Sequence, residues 1–161
     1  MRERGFSLFE LLAVIFIIGV MAAVSLPHLK AYAVESHLLG VGRIFVGEFR
    51  RARSIAIKRS VYTAIRFEKR DGIDYYSTYQ DGNGNGVRSA DIAAGIDPRI
   101  AGPLRLDGQA YGVRVGINPG VPAPPPDQGL LDPADPIRFG SSNILSFSPL
   151  GTATPGTFYL A

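Results

Sequence analysis

One long apolar segment stands out in the pattern of hydrophobic and polar positions along the chain. It runs from residue 6 to residue 26, and Glu10 is its single charged residue. As an α-helix, a segment of this length would span about 30 Å, the thickness of the hydrocarbon core of a bilayer. Because few helices of soluble proteins are apolar on every face over such a length, the pattern favours a membrane-spanning helix over a buried one.

The residues before this segment indicate its orientation. Arg2 and Arg4 precede it, and positive charge beside the first span keeps that end in the cytoplasm. We therefore expect the rest of the chain to lie outside the cytoplasm. A conventional secretory signal, cleaved after the apolar run near residues 22 and 23, is an alternative, but it explains neither Gly5 nor Glu10.

Beyond Pro27 the sequence returns to a helical period. Proline removes a backbone donor, so we expect Pro27 to kink the helix and not to end it. The apolar residues that recur at spacings of three or four are Leu38, Val41, Phe45, Phe49, Ala52 and Ala56. They predict an amphipathic helix that runs to about residue 59 and packs its apolar stripe against a sheet. The basic residues Arg50, Arg51 and Arg53 indicate a solvated helix face, or a contact with acidic partners or lipid headgroups.

After residue 60 the chain consists of short stretches of β-branched and aromatic residues separated by turns. Residues 61–67 and 73–79 flank a turn at 69–72 and predict a β-hairpin. Further strand candidates are 111–117, 137–139, 144–147 and 158–160. Since a run of strands follows one long helix, we expect an α+β fold with an antiparallel sheet packed on that helix.

Composition and charge exclude several functions. The chain has no cysteine, so disulfides, zinc–thiolate sites and cysteine nucleophiles are absent. Its net charge of +3 is too small to argue for a nucleic-acid partner, and no stripe of basic and aromatic residues supports one. The sequence carries no nucleophile elbow, no His-Glu-x-x-His and no phosphate loop. We therefore expect no enzymatic activity.

Glu10 is the most informative residue of the apolar segment. A carboxylate this deep in a membrane helix costs several kcal/mol by insertion scales, about 3, and such residues usually have a partner or a function. The alternative is that its side chain reaches back to the membrane interface, because it lies near the start of the segment. A single carboxylate with no second acid and no nucleophile makes a poor active site.

The stretch from residue 5 to residue 12, Gly-Phe-Ser-Leu-Phe-Glu-Leu-Leu, resembles the prepilin cleavage motif of type IV pilins and type II secretion pseudopilins. In that family a prepilin peptidase cuts after the glycine that ends a short basic leader, and methylates the new N-terminal residue. The resemblance implies cleavage after Gly5 and methylation of Phe6. Glu10 then matches the family's glutamate at the fifth mature position, and Pro27 its helix-kinking proline.

The resemblance gives Glu10 a role in assembly. Cleavage would free an α-amine at Phe6 that is positively charged near neutral pH. A lone ammonium and a lone carboxylate are both costly in a membrane. We expect Glu10 of one subunit to neutralise the Phe6 amine of its neighbour as subunits enter a filament, which would also set their register.

The C-terminal half resembles the GspH and FimU branch of minor pseudopilins and minor pilins. Residues 81–92 and 147–160 carry this resemblance. Such proteins usually continue with a further strand or two, whereas this sequence stops at Ala161. We expect either a minimal domain or a truncated sequence, which would leave an open sheet edge.

These observations predict four parts and one function. Residues 1–5 are the leader, 6–27 the membrane-spanning and assembly half of the helix, 28–60 its amphipathic half, and 61–161 a periplasmic β-rich domain. The implied function is a minor pseudopilin of a type II secretion system, anchored in the inner membrane. Its implied partners are prepilin peptidase, other pseudopilins or pilins, and the inner-membrane assembly platform. The alternatives are a minor pilin of a type IV pilus or DNA-uptake system, and a membrane-tethered module that does not polymerise.

One loop carries a pattern of candidate metal ligands. Asp81, Asn83 and Asn85, followed by a glycine, occupy the first, third and fifth positions of a calcium loop. The twelfth position is Ile92, and the acid Asp91 falls one residue early. Asp97 is a further candidate. With one carboxylate among the first three ligand positions, we expect weak Ca²⁺ binding at best, and an Asn-Gly-rich turn without metal is the alternative.

Overall fold

The computed structural model describes residues 7–106, 113–125 and 128–161. Its elements are α1 (Leu8–Arg59), β1 (Thr63–Arg70), β2 (Ile73–Gln80), α2 (Ser89–Ala93), β3 (Arg99–Arg105), β4 (Ile137–Arg138), β5 (Ile144–Phe147) and β6 (Thr157–Phe158). A long helix followed by an antiparallel sheet confirms the predicted α+β fold. The chain divides into two compact units, residues 1–36 and residues 37–161.

The first unit contains the apolar half of α1. The stretch Leu8–Ser25 has a mean hydropathy of 2.5 and is long and apolar enough to cross a membrane. None of its side chains is buried within the structure. Leu8, Phe9 and Phe16 each expose more than 70% of their surface (76%, 79% and 72%). A fully exposed apolar helix is stable against lipid or protein and not against water, which fits a single-pass membrane anchor.

In the second unit, four strands form the main sheet in the order β3-β2-β1-β5, with every neighbouring pair antiparallel. β1 and β2 form the predicted hairpin, and Arg70 pairs with Ile73 across the turn. The two turn residues have positive φ, 51° at Asp71 and 78° at Gly72. Positive φ at both positions is typical of the turn whose twist matches that of two paired strands, which explains the tight connection.

The core of the second unit lies between α1 and one face of this sheet. Its buried apolar residues come from α1, the sheet and the C-terminal segments: Val41, Phe45, Ala52, Ala56, Ile65, Phe67, Tyr76, Leu106, Val113, Ile137, Phe139, Leu145 and Phe147. Phe45 contacts three aromatic rings, with centroid distances of 6.3 Å to Phe49, 5.6 Å to Tyr76 and 4.8 Å to Phe158. The predicted stripe of α1 is therefore the face that packs on the sheet, and the predicted helix end at residue 59 is confirmed.

A second, smaller cluster covers the opposite face of the sheet. Ala64, Tyr79 and Ile144 project there and pack with Val87, while Ile92 packs against the group from α2. The segment between β2 and β3 therefore lies across the outer face of the sheet. This packing positions the loop that carries the candidate metal ligands.

Three parts of the fold differ from the sequence prediction. β3 and α2 were not predicted. β3 contains Gly102 and Pro103 in its interior, which sequence patterns associate with turns. As an edge strand, β3 tolerates the missing N–H of proline. The predicted strand 111–117 is wrong for residues 113–117, where Val115 makes one isolated bridge to Leu160; residues 111 and 112 lie outside the described residues.

We predict that Phe45→Ala destabilises the second unit strongly and that Ile44→Ala does not. Phe45 is 2% exposed at the centre of the aromatic cluster, whereas its neighbour Ile44 is 40% exposed. The expected loss is about 3–5 kcal/mol for Phe45→Ala and within about 0.5 kcal/mol of zero for Ile44→Ala. Urea unfolding of the full chain in detergent, followed by near-ultraviolet circular dichroism, measures both. Equal losses would show that the helix does not pack through this stripe.

Candidate functional site

The N-terminal end of α1 is closed by a reciprocal pair of hydrogen bonds. The side-chain oxygen of Ser7 accepts the amide N–H of Phe9 at 3.2 Å. In return, Oε2 of Glu10 accepts the amide N–H of Ser7 at 2.9 Å. This is a capping box, in which a serine and a glutamate three residues later satisfy two amide donors that the helix leaves unpaired.

The capping box adds a local role for Glu10 that the sequence analysis missed. The signal was present, because Ser7-x-x-Glu10 before an apolar run is the sequence pattern of this motif. The carboxylate also lies where the helix dipole favours negative charge. The hydrogen bond to Ser7 uses one of the two carboxylate oxygens, and the Glu10 side chain is exposed. It therefore retains an oxygen that can accept a second partner.

Of the other residues predicted for processing and for the helix kink, the structure describes the backbone of Pro27 only. Gly5 and Phe6 lie outside the described residues, so cleavage and methylation stay predictions. Pro27 lies inside α1, which continues beyond it to Arg59. The predicted kink at Pro27 also stays a prediction.

The loop after β2 is organised around the carboxylate of Asp81, which is 5% exposed. Its Oδ1 accepts the amide N–H groups of Asn83 at 3.0 Å and Gly84 at 2.8 Å. Its Oδ2 accepts the N–H of Gly86 at 2.9 Å. Three backbone donors of one short loop therefore converge on a single buried side chain.

A second buried carboxylate closes the same loop from the other side. Asp97, which is 2% exposed, accepts the N–H of Gly82 at Oδ1 and the N–H of Arg88 at Oδ2, both at 3.0 Å. Asp97 is in turn tied to α2, because its own N–H donates to the backbone oxygen of Asp91 at 3.2 Å. The two aspartates thus hold both ends of the loop to the body of the unit.

Glycine is required at Gly82 for steric reasons. A Cβ atom built at Gly82 would overlap the backbone oxygen of Ile96. Gly84 and Gly86 have φ of 82° and 86°, a region that residues with side chains rarely adopt. The glycines of the Asp-Gly-Asn-Gly-Asn-Gly sequence therefore meet two needs of the loop. Gly82 allows the backbone to lie against that of Ile96, and Gly84 and Gly86 allow positive φ.

The pKa of the Asp81 carboxyl group is lowered from its ordinary value. Burial by itself raises this pKa, because it disfavours the charged form. The backbone N–H groups of Gly86, Asn83, Gly84 and Asn85 act in the opposite direction and outweigh burial. The loop is therefore built to hold Asp81 as a carboxylate.

The predicted calcium ligands are brought together only in part. Asn83 Oδ1 accepts the N–H of Asn85 at 3.3 Å, within the loop that wraps Asp81. Asp91 lies in α2, and its Oδ2 is buried without a hydrogen-bond partner among the described residues. Within residues 7–106, 113–125 and 128–161, no three or more His, Cys, Asp or Glu side chains form a group that could hold a metal ion. Ca²⁺ binding by Asp81, Asn83, Asn85 and Asp91 stays a prediction.

Comparison with known proteins bears on the N-terminal segment. Residues 1–26 match the family model of the prokaryotic N-terminal methylation motif. No curated protein and no solved structure matches the chain significantly. The matched region contains the capping box and the whole of the candidate membrane span, Leu8–Ser25.

This match supports a protein of the type IV pilin-like class, in which a prepilin peptidase processes the precursor and the product assembles with other pilins. Pilin-like proteins are structural subunits and not enzymes. The exposed apolar helix and the α+β fold of the described residues agree with that class.

We predict that Asp81 stabilises the protein above about pH 4 and loses this effect at lower pH. Because its folded-state pKa is lowered, the contribution is present above the ordinary aspartate pKa, near 4, and disappears as the pH falls through the folded value. At neutral pH, Asp81→Ala should cost about 1.5–3 kcal/mol, the range for hydrogen bonds to a charged group. Urea unfolding across a pH series measures the difference between wild type and variant.

The matched control for this experiment is Asp132→Ala. Asp132 accepts one backbone N–H, from Ala134 at 2.9 Å, in an exposed turn. Its replacement should cost much less than that of Asp81. A pH-independent difference between wild type and Asp81→Ala would contradict the electrostatic role of Asp81.

Proposed function

We propose that the protein is a minor pseudopilin of a type II secretion system, processed after Gly5 and assembled through its N-terminal helix. The observation that carries this proposal is the N-terminal methylation motif over residues 1–26, joined to an exposed apolar helix and an α+β unit. The resemblance of residues 81–92 and 147–160 to the GspH and FimU branch supports the choice of a minor subunit.

The proposal assigns a place to each part of the chain. Residues 1–5 form a cytoplasmic leader that prepilin peptidase removes, and residues 6–27 anchor the protein in the inner membrane. Residues 28–60 continue the helix, and residues 61–161 form a periplasmic domain. The two arginines before the apolar run favour this orientation, because positive charge is retained on the cytoplasmic side.

Assembly follows from the chemistry at the start of the helix. Cleavage creates an ammonium group at Phe6, one residue before the capping box of Ser7 and Glu10. The capping bond occupies one carboxylate oxygen of Glu10, so the other is available to the ammonium group of a neighbouring subunit. In lipid, both charges are costly until they are paired, and this cost favours one axial register between neighbours.

The surface of α1 in the second unit supports a protein that is covered by neighbours. Leu39 and Val46 lie seven residues apart, on one face of the helix, and expose 56% and 46% of their surface. Arg43 and Arg50 lie on the same face, so exposed apolar and basic side chains alternate there. A tethered module that never polymerises would leave these side chains in water.

Two other functions remain as alternatives. A minor pilin of a type IV pilus or DNA-uptake system shares every feature above, and the identity of neighbouring genes separates it from a pseudopilin. A tethered module, with or without Ca²⁺ at the Asp81 loop, predicts that Glu10 is dispensable for function. Proposed partners in either filament are prepilin peptidase, other pilins or pseudopilins, and an inner-membrane assembly platform.

We predict that Gly5→Leu blocks processing, because a bulky side chain next to the scissile bond obstructs the peptidase. Intact-mass spectrometry of the protein from membranes of its native host should find wild type beginning at Phe6 with one added methyl group. Gly19→Leu is the control, since Gly19 has open space around it in the same apolar segment. Mature protein from Gly5→Leu, or unprocessed wild type in a host with active peptidase, would refute the cleavage site.

We predict that Glu10→Ala is processed normally but fails to enter the filament. Ser7→Ala is the matched control, because it removes the Oγ cap while leaving the Glu10 carboxylate, and a lost cap costs about 1 kcal/mol. Crosslinking in membranes, followed by recovery of the protein with other subunits, measures assembly. If Glu10→Ala and Ser7→Ala lower recovery equally, Glu10 acts through the helix cap and not through a neighbouring subunit. Unchanged recovery of both would favour the tethered module.

A further inference from the structure

The Asp81 loop contains three consecutive dipeptides that are prone to the same chemical rearrangement. Asp81-Gly82, Asn83-Gly84 and Asn85-Gly86 each place an aspartate or asparagine before glycine. In such pairs the backbone nitrogen of the glycine can attack the preceding side chain, because glycine has no Cβ to obstruct the approach. Asparagine is accordingly among the thermolabile residues of proteins.

The rearrangement at Asn83 proceeds in two balanced steps. The amide nitrogen of Gly84 loses its proton to a base and attacks Cγ of Asn83. A C–N bond forms, the bond from Cγ to Nδ2 breaks, and ammonia leaves, which gives a five-membered succinimide. Water then opens either carbonyl of this ring and gives aspartate or isoaspartate. Asn85 reacts in the same way through Gly86. Asp81 reacts through Gly82 only when its carboxyl group is protonated, and the hydroxyl group then leaves as water.

Each of the three attacking nitrogens is engaged by a carboxylate in this structure. The N–H groups of Gly84 and Gly86 donate to Asp81, at 2.8 and 2.9 Å. The N–H of Gly82 donates to Asp97 at 3.0 Å. A hydrogen bond to a carboxylate makes an N–H harder to deprotonate, because the bond and the negative charge both stabilise the protonated form.

Neither burial nor crowding explains a slow reaction at the two asparagines. Asn83 and Asn85 are exposed, so water and base reach them. Gly84 and Gly86 have no atom within 4 Å of the position that a Cβ would occupy. The carboxylate hydrogen bonds, together with the fixed backbone of the loop, distinguish these pairs from the same sequence in an unfolded chain.

We propose that the loop is a latent deamidation and isomerisation site, and that Asp81 and Asp97 suppress its reaction by holding the glycine N–H groups. Asp81 protects Asn83 and Asn85. Asp97 protects Asp81 itself. A loop that loses these bonds acquires new carboxylates or isoaspartate beside β2, and isoaspartate inserts an extra backbone atom into the turn that the wrapped conformation cannot accommodate.

The two carboxylates can be separated because they hold different nitrogens. The experiment compares the full-length wild type, Asp81→Ala and Asp97→Ala in detergent, together with wild type unfolded in urea. Incubation in mildly alkaline buffer tests Asn83 and Asn85, and incubation in mildly acidic buffer, where a share of the carboxyl groups is protonated, tests Asp81. Peptide mass spectrometry with fragmentation that distinguishes aspartate from isoaspartate follows each site. Alanine is used because asparagine at position 81 would create another Asn-Gly pair.

Each variant is expected to accelerate the reaction at a different site. Folded wild type should react several-fold more slowly at Asn83 and Asn85 than unfolded wild type. Asp81→Ala should accelerate reaction at Asn83 and Asn85 several-fold, while Asp97→Ala should chiefly increase isoaspartate at Asp81. Equal rates in folded and unfolded wild type would overturn the proposal, as would equal acceleration of Asn83 and Asn85 by both variants.

A measurement on wild type alone covers the case in which a variant does not fold. Amide hydrogen exchange of the folded protein should show Gly84 and Gly86 protected relative to the same amides in the unfolded chain. Exchange of Gly84 and Gly86 at the rate of an unprotected amide would show that Asp81 does not hold them, and would overturn the proposal.

Discussion

The packing of one apolar stripe of α1 against one face of the sheet is the interaction on which the second unit depends. Phe45 lies against Tyr76 of the sheet and Phe158 of the C-terminal segment, so a single side chain joins three parts of the chain. Ala56, which is fully buried, presents only a methyl group to the same interface. Along the stripe the large residues Phe45 and Phe49 come first and the small residues Ala52 and Ala56 follow, so the helix can approach the sheet more closely toward its C-terminal end.

The loop with the candidate ligands depends on this packing indirectly. Because α1 covers one face of the sheet, Ala64, Tyr79 and Ile144 on the other face need a second cover, and Val87 and Ile92 supply it. The segment between Asp81 and Asp97 is therefore held to the sheet in its middle by apolar contacts, and its polar groups must be satisfied within a short span. Two buried aspartates meet that requirement, since ionised carboxylates accept several N–H groups each.

Sequence patterns predicted the parts of the fold that local periodicity determines. The stripe of α1, its end at Arg59, the hairpin of β1 and β2, and the bounds of β5 all follow from spacings of two, three or four residues. β3 could not be predicted in this way, because Gly102 and Pro103 indicate a turn when read alone. What makes the segment a strand is its pairing with β2, a contact that no local window contains.

At two carboxylates the sequence motif alone did not identify the partner that the structure shows. Glu10 and Asp81 were each interpreted through an external partner, a neighbouring subunit and a Ca²⁺ ion. In both, the structure reveals an internal partner first, because unpaired backbone N–H groups lie within reach. The spare capacity differs, however. Glu10 accepts one N–H and is exposed, so a neighbouring ammonium group can bind it without breaking the cap.

Asp81 has less capacity to offer. A carboxylate oxygen has two lone pairs, and Oδ1 of Asp81 already accepts two N–H groups while Oδ2 accepts one. A cation could bind the remaining lone pair of Oδ2, and Asn83 Oδ1 could contribute one more. Any further ligation would have to displace a hydrogen bond that holds the loop. Any Ca²⁺ affinity would therefore be limited by the bonds that fold the loop, because a cation that displaced them would also release the glycine N–H groups.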